Sequence, residues 1–461
     1  MDFKNYLVPG KTGLLIGIGG VSMSPLAEVL HDAGLDIRGS DMAESSNTLT
    51  LRERGIPIHI GHSADNVTDD ISFVIRTAAV HDDNPEVHEA HRRGIPVFER
   101  TQAWGALMRG YQNALCISGT HGKTTTTSMC THIMMAAEKD PTVMIGGTLP
   151  LLKACHRVGK GNTIIMESCE YYNSFLALNP TIAVVLNIEA DHLDFFKDLE
   201  DIKHSFRCFA ERVPAETGTV IANYDDANTM DALRGIARKV ITFGLNAKAD
   251  VYAQNIVHRG SVSEFDIYHR GNYFARVTLH VPGIHNVRNA LAATAAAIVL
   301  GVSPNAVKYG LAGFEGAGRR FDFKGKFQGA DLYDDYAHHP SELRALLDAV
   351  DTLNYQRTIV VFQPHTYSRT AKLFNDFVEQ LRRPTIVYLA EIYAAREKNT
   401  IGISSADLAA QIPGAKFYPT FAEIEAELRR IARPGDIILT VGAGDVFRIG
   451  EHLLHPADNK D

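Results

Sequence analysis

Short apolar runs rich in β-branched residues alternate along the chain with longer stretches of helical periodicity. This pattern predicts parallel sheets covered on both faces by helices. The first run, Leu14 to Ile16 in "GLLIGIGG", ends in a glycine turn, and "ISFVIRTAAV" and "IPVFERTQAW" continue the same unit. Near residue 112 the pattern restarts with "ALCISGTHGK", a strand running into a second glycine loop and a helix. "NTIIMESCE", "TIAVVLNIEADH" and "GTVIANYDD" read as further strands, and "SEFDIYHRGNYFARVTLHVPG" as a hairpin with its turn at Arg-Gly-Asn. An alanine-rich helix is expected from about Asn289 to Leu300. The glycines and arginines of "GLAGFEGAGRRFDFKG" suit a hinge, and "TIVVFQPH", "TIVYLAEI" and "DIILTVGAGDV" form the strands of a third α/β unit. The expected class is therefore α/β in three domains, 1–112, 113–317 and 318–461.

A length of 461 residues agrees with that division at about 100 to 200 residues per domain. A net charge of −8 and the lack of a basic stripe argue against nucleic acid and anionic membrane as partners. No leader-like start and no run near ~18 apolar residues occurs, so a cytoplasmic protein is expected. Five cysteines without paired metal-ligand spacing fit reduced thiols.

The candidate chemistry sits in the glycine loops. Gly17, Gly19 and Gly20 leave room for phosphate at the next helix's N-terminus, and Asp41, 22 residues past Gly19, stands where an acid would meet a ribose. Ser22 occupies the third glycine position of that fingerprint, and Ser40, which precedes the acid, is expected with it at the substrate. The loop "SGTHGKTTTT" has only two residues between Gly119 and Gly122, yet Lys123 can still reach β- and γ-phosphates and Thr124 can offer its hydroxyl to magnesium. Thr120, His121 and Thr125 complete the loop as nucleotide-binding positions. Glu167, with Glu170 behind it, ends a strand where a metal ligand is expected. Glu189, Asp191, His192 and Asp194 end another, able to hold a second magnesium or to orient substrate.

The segments "GTHGKTTTT", "NIEADHLD", "PGIHNVRNALAA", "GAGRRFD", "DDYAHHPSE" and "FQPHTYSRT", in that order, resemble the Mur ligases of peptidoglycan synthesis. The resemblance covers about residues 14 to 448. It implies a Rossmann-like UDP-binding domain, a central P-loop ATPase-type domain and a C-terminal Rossmann-like domain. The reaction implied is ATP- and Mg2+-dependent joining of an amino group to a sugar carboxylate through an acyl phosphate. UDP-N-acetylmuramate and L-alanine are the implied substrates, and the chain is expected as a monomer or weak homodimer.

By the same resemblance, Thr124 and Glu167 ligate the first magnesium and His192 approaches the second. Asn286 and Asn289 contact nucleotide, while Arg319 and Arg320 bring a guanidinium to the phosphates. Tyr336, His338, His365 and Arg369 surround the alanine and muramyl carboxylates. Two departures bear on these contacts: Thr366 stands where many members carry arginine, and "CEYY" at 169 to 172 replaces an aspartate-rich stretch. A ligase using another amine acceptor, a nicotinamide-dependent oxidoreductase resting on the first loop with Asp41, and a nucleotide-gated binding protein without turnover are the competing readings.

Overall fold

The run ending in the first glycine turn becomes the central strand of a parallel sheet. In the structure, a computed structural model, residues 2–77, 79–395 and 397–455 are described. The chain forms two compact units: the first comprises residues up to Ile188 with Lys203–Thr242 and Ala293–Ser303, the second Glu189–Ile202, Phe243–Ala292 and everything from Pro304 onward.

In the first unit, β1 (Thr12–Ile16), β2 (Asp36–Asp41), β3 (Ile58–Ile60), β4 (Ile71–Arg76) and β5 (Val97–Glu99) lie in the order β3-β2-β1-β4-β5. All their pairings are parallel. The order reverses at β1, so the crevice beyond its C-terminal end, where Gly17 to Gly20 sit, is where such sheets bind ligand. The same unit carries β6 (Asn113–Ser118), β7 (Thr142–Leu149), β8 (Ala154–Arg157), β9 (Thr163–Glu167), β10 (Ile182–Val185), β11 (Thr219–Asn223) and, as far as Thr242, β12 (Lys239–Gly244). Their order is β12-β11-β10-β6-β9-β7-β8, with β8 antiparallel at the edge. Between β10 and β9, β6 is again a reversal point, and the Lys123 loop leaves its C-terminal end. β10 and β11 are buried at every position, because helices cover both faces.

In the second unit, β13 (Val251–Arg259), β14 (Val262–His269) and β15 (Asn272–Leu279) form an antiparallel meander. Its expected turn lies at Arg270–Gly271, both with positive φ, 51° and 80°, as a two-residue hairpin loop requires. The remaining strands are β16 (Asp322–Phe327), β17 (Ala330–Asp335), β18 (Arg357–Phe362), β19 (Ile386–Leu389), β20 (Lys416–Phe417) and β21 (Asp436–Val441), in the order β16-β17-β21-β18-β19-β20. Only β16 is antiparallel to its neighbour.

The alanine-rich helix runs over Ile284–Val299 and so starts five residues before the expected Asn289. Buried Val287 and Leu291 extend its apolar spacing into the polar "IHNVRN" stretch. Among the described residues no helix is long and apolar enough to cross a membrane.

Candidate active site

The Lys123 loop is held by backbone geometry and by one asparagine. Gly119 has φ 143°, and a Cβ there would come within 2.7 Å of Leu186. Gly122, at φ 84°, caps the helix Lys123–Ala136. Both positions lie where L side chains are strained. Asn187 brackets the loop: its carbonyl accepts from Thr120 N at 3.0 Å, its Oδ1 from His121 N at 2.8 Å, and its Nδ2 donates to the His121 carbonyl at 3.0 Å. Sequence reasoning did not single out Asn187. Its only signal was its place at the end of the "TIAVVLN" strand run.

Lys123 Nζ donates to the carbonyls of Gly119 (2.5 Å) and Thr120 (3.1 Å) and pairs with Glu170 at 3.1 Å. Burial pulls the ammonium's pKa down, but Glu170 more than offsets this and holds it above its ordinary value, so Lys123 is a cation. Glu170, which stands three positions behind the expected metal ligand Glu167, is thus the lysine's partner in this structure. It precedes the short turn Tyr171–Ala177, which is rooted by Phe175 stacked on Phe209 at 4.5 Å. Tyr172 and Asn173 of that turn have positive φ, 54° and 55°.

Thr124 Oγ1 donates to Glu167 Oε1 at 3.1 Å, and Gly146 N donates to Glu167 Oε2 at 2.7 Å. A hydroxyl and a carboxylate at a helix N-terminus form an oxygen-only donor set, which fits Mg2+. Thr125 follows on the same first turn.

At the first glycine loop, Gly17 and Ile18 donate to the Ser40 carbonyl at 2.8 and 3.0 Å, and Gly19 N donates to Asp41 Oδ2 at 2.8 Å. A Cβ on Gly19 would lie 2.8 Å from Thr48 and 3.0 Å from Asp41. Asp41 therefore ties the loop down. Ser40, expected at the substrate, has a fully buried hydroxyl that donates to Glu86 at 2.7 Å, so only its backbone is shared with the loop.

A cavity of about 330 Å3 joins this loop to Glu167 and is lined by Gly20, Ser22, Arg100, Trp104, Glu167 and Cys169 among others. That volume lies within the range of small-molecule sites. Arg100, which the sequence reading missed, donates to the Ser22 hydroxyl there and, among the described residues, supplies the one cationic side chain of the lining.

Cys169 opens onto the same cavity, its thiol pushed up to about 11 by desolvation and by Glu170. Alkylation by iodoacetamide at pH 7 is therefore expected to be slow at Cys169, and slower still with Mg-ATP present. Peptide mapping over time checks this, and fast labelling indifferent to Mg-ATP would contradict it.

In the second unit, Arg369 donates through Nε (3.1 Å) and Nη2 (2.9 Å) to Asp191 Oδ1, and through Nη1 to His365 Nδ1 at 3.2 Å. Burial would raise the Asp191 carboxyl, but the Arg369 guanidinium outweighs it and holds the group far below the usual carboxylate range. His192 follows Asp191 at φ 52°, its N–H donating to the Asp191 carboxylate at 2.8 Å. His338 Nδ1 donates to the Tyr336 carbonyl at 3.0 Å, and its ring meets that of His365 at 5.8 Å. Burial pushes both imidazoles down to about 4.

Arg319 is engaged on three sides, with Asp334 at 2.8 Å and the carbonyls of Gly442 (2.7 Å) and Gly444 (3.0 Å). Arg320 lies over the Tyr336 ring at 4.9 Å. Asn286 and Asn289 are buried, Asn286 donating to the Pro282 carbonyl and Asn289 to Asn286 Oδ1. Thr366 caps the next helix at φ 68°.

The neutral histidines set a pH dependence. His132, His285, His338 and His365 have folded pKa values of about 4 against 6.5 for an ordinary histidine. The unfolded chain binds their protons first, so their contribution is intact above 6.5 and is lost as pH falls toward 4. Asp334 and Asp335, both raised by burial and the latter to about 6, oppose part of this loss. Urea midpoints measured at steps from pH 7 to 4.5 are expected to fall, and a flat series would contradict these assignments.

Thus Lys123, Thr124, Glu167 and Glu170 share the first unit with Gly17, Gly19 and Gly20, and Asp191, His192, His338, His365 and Arg369 share the second. Glycine loops at two sheet reversals, a paired lysine and oxygen-only donors define a phosphate-handling α/β enzyme. The chain matches the Mur ligase family catalytic domain over residues 15–112, the Mur ligase middle domain over 117–297 and the Mur ligase glutamate ligase domain over 319–444. It is 46% identical to UDP-N-acetylmuramate–L-alanine ligase of Agathobacter rectalis, covering 95% of this chain and 96% of that one. The enzyme of the same name from Clostridium novyi is 44% identical, covering 98% and 99%. The UDP-N-acetylmuramate-alanine ligase structure from Thermotoga maritima aligns with TM-score 0.79 at 28% identity, covering 96% and 98%. A murein peptide ligase from Psychrobacter arcticus shares the fold, with TM-score 0.70 at 22% identity, covering 98% and 100%. This chain belongs to the Mur ligase family.

Proposed function

We propose that this enzyme joins L-alanine to the carboxylate of UDP-N-acetylmuramate, with ATP converted to ADP and phosphate. The observation that carries the reading is the Lys123 loop, with its buried cation beside the Thr124–Glu167 pair. It stands on a chain more than 40% identical over nearly its whole length to ligases of that name.

In the reaction, a muramyl carboxylate oxygen attacks the γ-phosphorus of ATP and ADP departs. The alanine amine then attacks the acyl carbon and phosphate departs. The first step brings two anions together, so the site must supply positive charge that is already in place. Lys123, held by two carbonyls and Glu170, is that preorganised charge. Magnesium, held by Thr124 and Glu167, would neutralise the transferring phosphoryl group, and His192 is assigned to a second ion on the family resemblance alone.

We assign residues 1–112 to the UDP-sugar, with Gly17, Gly19 and Gly20 at the pyrophosphate and Arg100 beside them. Residues 113–317 take ATP, with Asn286 and Asn289 at the nucleotide, and 318–461 take alanine. In this last part, Arg369 keeps N–H donors beyond those on Asp191 and His365 for the alanine carboxylate. Neutral His338 and His365 place ring nitrogens, and no further cations, beside an incoming ammonium. Arg319, engaged with Asp334, shapes the segment, leaving Arg320 as the guanidinium for phosphate.

Phosphate release with ATP, Mg2+, UDP-N-acetylmuramate and a panel of amine acceptors tests the reading. Release is expected only when all substrates are present, with alanine preferred. No release defeats it, and preference for a peptide acceptor moves the enzyme to another branch of the family.

A further inference from the structure

Outside the site described above, three side chains form a relay on the flank of the first glycine loop. Cys155 Sγ lies 3.7 Å from His156 Nδ1, and His156 Nε2 lies 3.1 Å from Glu28 Oε1 on the helix Ser24–Asp32. Glu28 and His156 are largely buried, with side chains 8% and 16% exposed, whereas Cys155 is half-exposed. Arg54 reaches the other Glu28 oxygen at 3.5 Å and is itself paired with Asp32 at 3.4 Å. On its other side, Sγ lies 3.8 Å from the carbonyl of Val21, inside the loop that borders the cavity.

We propose that Cys155 is a site of reversible thiol modification, activated by the His156–Glu28 pair, through which a low-molecular-weight disulfide displaces the first glycine loop. Burial pulls the His156 imidazole down, but Cys155 and Glu28 more than offset this and lift it to about 9, so at neutral pH a cationic N–H faces the sulfur. That N–H, 3.7 Å from Sγ, is placed to stabilise the sulfur anion during attack. Among the other four cysteines, Cys208 also has a histidine at its sulfur, His204 Nε2 at 3.5 Å, yet all four thiols are pushed up. Burial pushes Cys116 and Cys130 up to about 12, desolvation and Glu170 push Cys169 to about 11, and burial and Glu211 raise Cys208.

The step is thiol–disulfide exchange. The Cys155 thiolate attacks one sulfur of R–S–S–R, a Cys155–S–S–R bond forms, and RS− departs and takes up the proton that the thiol gave to water. A substituent on Sγ would replace the S–H that faces the Val21 carbonyl at 3.8 Å, so the adduct acts directly on the loop. The effect on sugar-nucleotide binding rests on the function proposed above, whereas the adduct and the loop movement do not.

The test uses the full chain with oxidised glutathione at pH 7.5, followed by intact mass and peptide mapping. The chain's one tryptophan, Trp104, donates Nε1–H to the Ser22 carbonyl at 3.3 Å, so its emission reports loop displacement without any ligand. The adduct is expected first at Cys155, and about tenfold more slowly in His156→Gln and in Glu28→Gln, each checked for native circular dichroism. Trp104 emission should shift with the adduct and return with dithiothreitol, and UDP-N-acetylmuramate affinity should weaken by about tenfold or more and recover. Cys155→Ser should show none of these changes. Earlier labelling of another cysteine, an unchanged rate in both folded variants, or an adduct that leaves emission unaltered overturns the proposal. Failure of the unmodified protein to bind UDP-N-acetylmuramate defeats the functional reading while the rate and emission tests stand.

Discussion

Lys123→Ala is expected to lower phosphate release by ~10²–10³, the loss of about 3 to 4 kcal/mol that follows removal of one preorganised contact to transition-state charge. The loss is larger if Mg2+ placement fails as well. Affinity for UDP-N-acetylmuramate, measured by calorimetry, should survive, because Gly17 and Gly19 are held by Ser40 and Asp41, and Gly20 by the Gly17 carbonyl, without help from Lys123. The substitution also leaves the buried Glu170 carboxylate without its ammonium, which should destabilise the fold. Adding Glu170→Gln to Lys123→Ala separates the two effects, since it should restore stability and leave phosphate release low. A Lys123→Ala protein that joins alanine at near-normal rate would reduce "GTHGKT" to a turn.

Asp191→Asn should cost about 3 to 5 kcal/mol of stability, the usual penalty for leaving one member of a buried ion pair uncompensated. Both side chains are nearly excluded from water, 7% exposed for Asp191 and 11% for Arg369. Arg369→Gln added to Asp191→Asn should recover part of the loss. Urea unfolding of the two single variants and the double variant gives the coupling directly, and strictly additive losses would show that the pair is not coupled. The sign with pH follows from the depressed Asp191 carboxyl. Its contribution is present above the unfolded value of about 3.9 and is lost only as pH falls through the much lower folded value. Acid weakening above pH 4 therefore belongs to the buried histidines.

What the sequence determined by itself is local. The glycine loops could be read because positive φ and close backbone approach require glycine whatever packs around them, as Gly17 and Gly122 show. The Arg270–Gly271 turn was legible because two short strands and their loop are neighbours in sequence. Alternation of apolar runs with helical stretches gave the parallel sheets, since a strand covered on both faces must be apolar throughout.

Tertiary structure decided which polar groups meet. Asn187 brackets His121 from 66 residues away, Glu170 reaches Lys123 across 47, and Asp191 meets Arg369 across 178. Glu167 was the expected metal ligand in the sequence, with Glu170 three positions behind it. Packing gave Thr124 to the first and Lys123 to the second. Ser40 and Arg319 carried ligand chemistry as residues, yet buried carboxylates, Glu86 and Asp334, took their donors. Local propensity repeats along an element, whereas a long-range hydrogen bond depends on one distance and one angle set by how sheets and helices pack, and no periodicity along the chain encodes that choice.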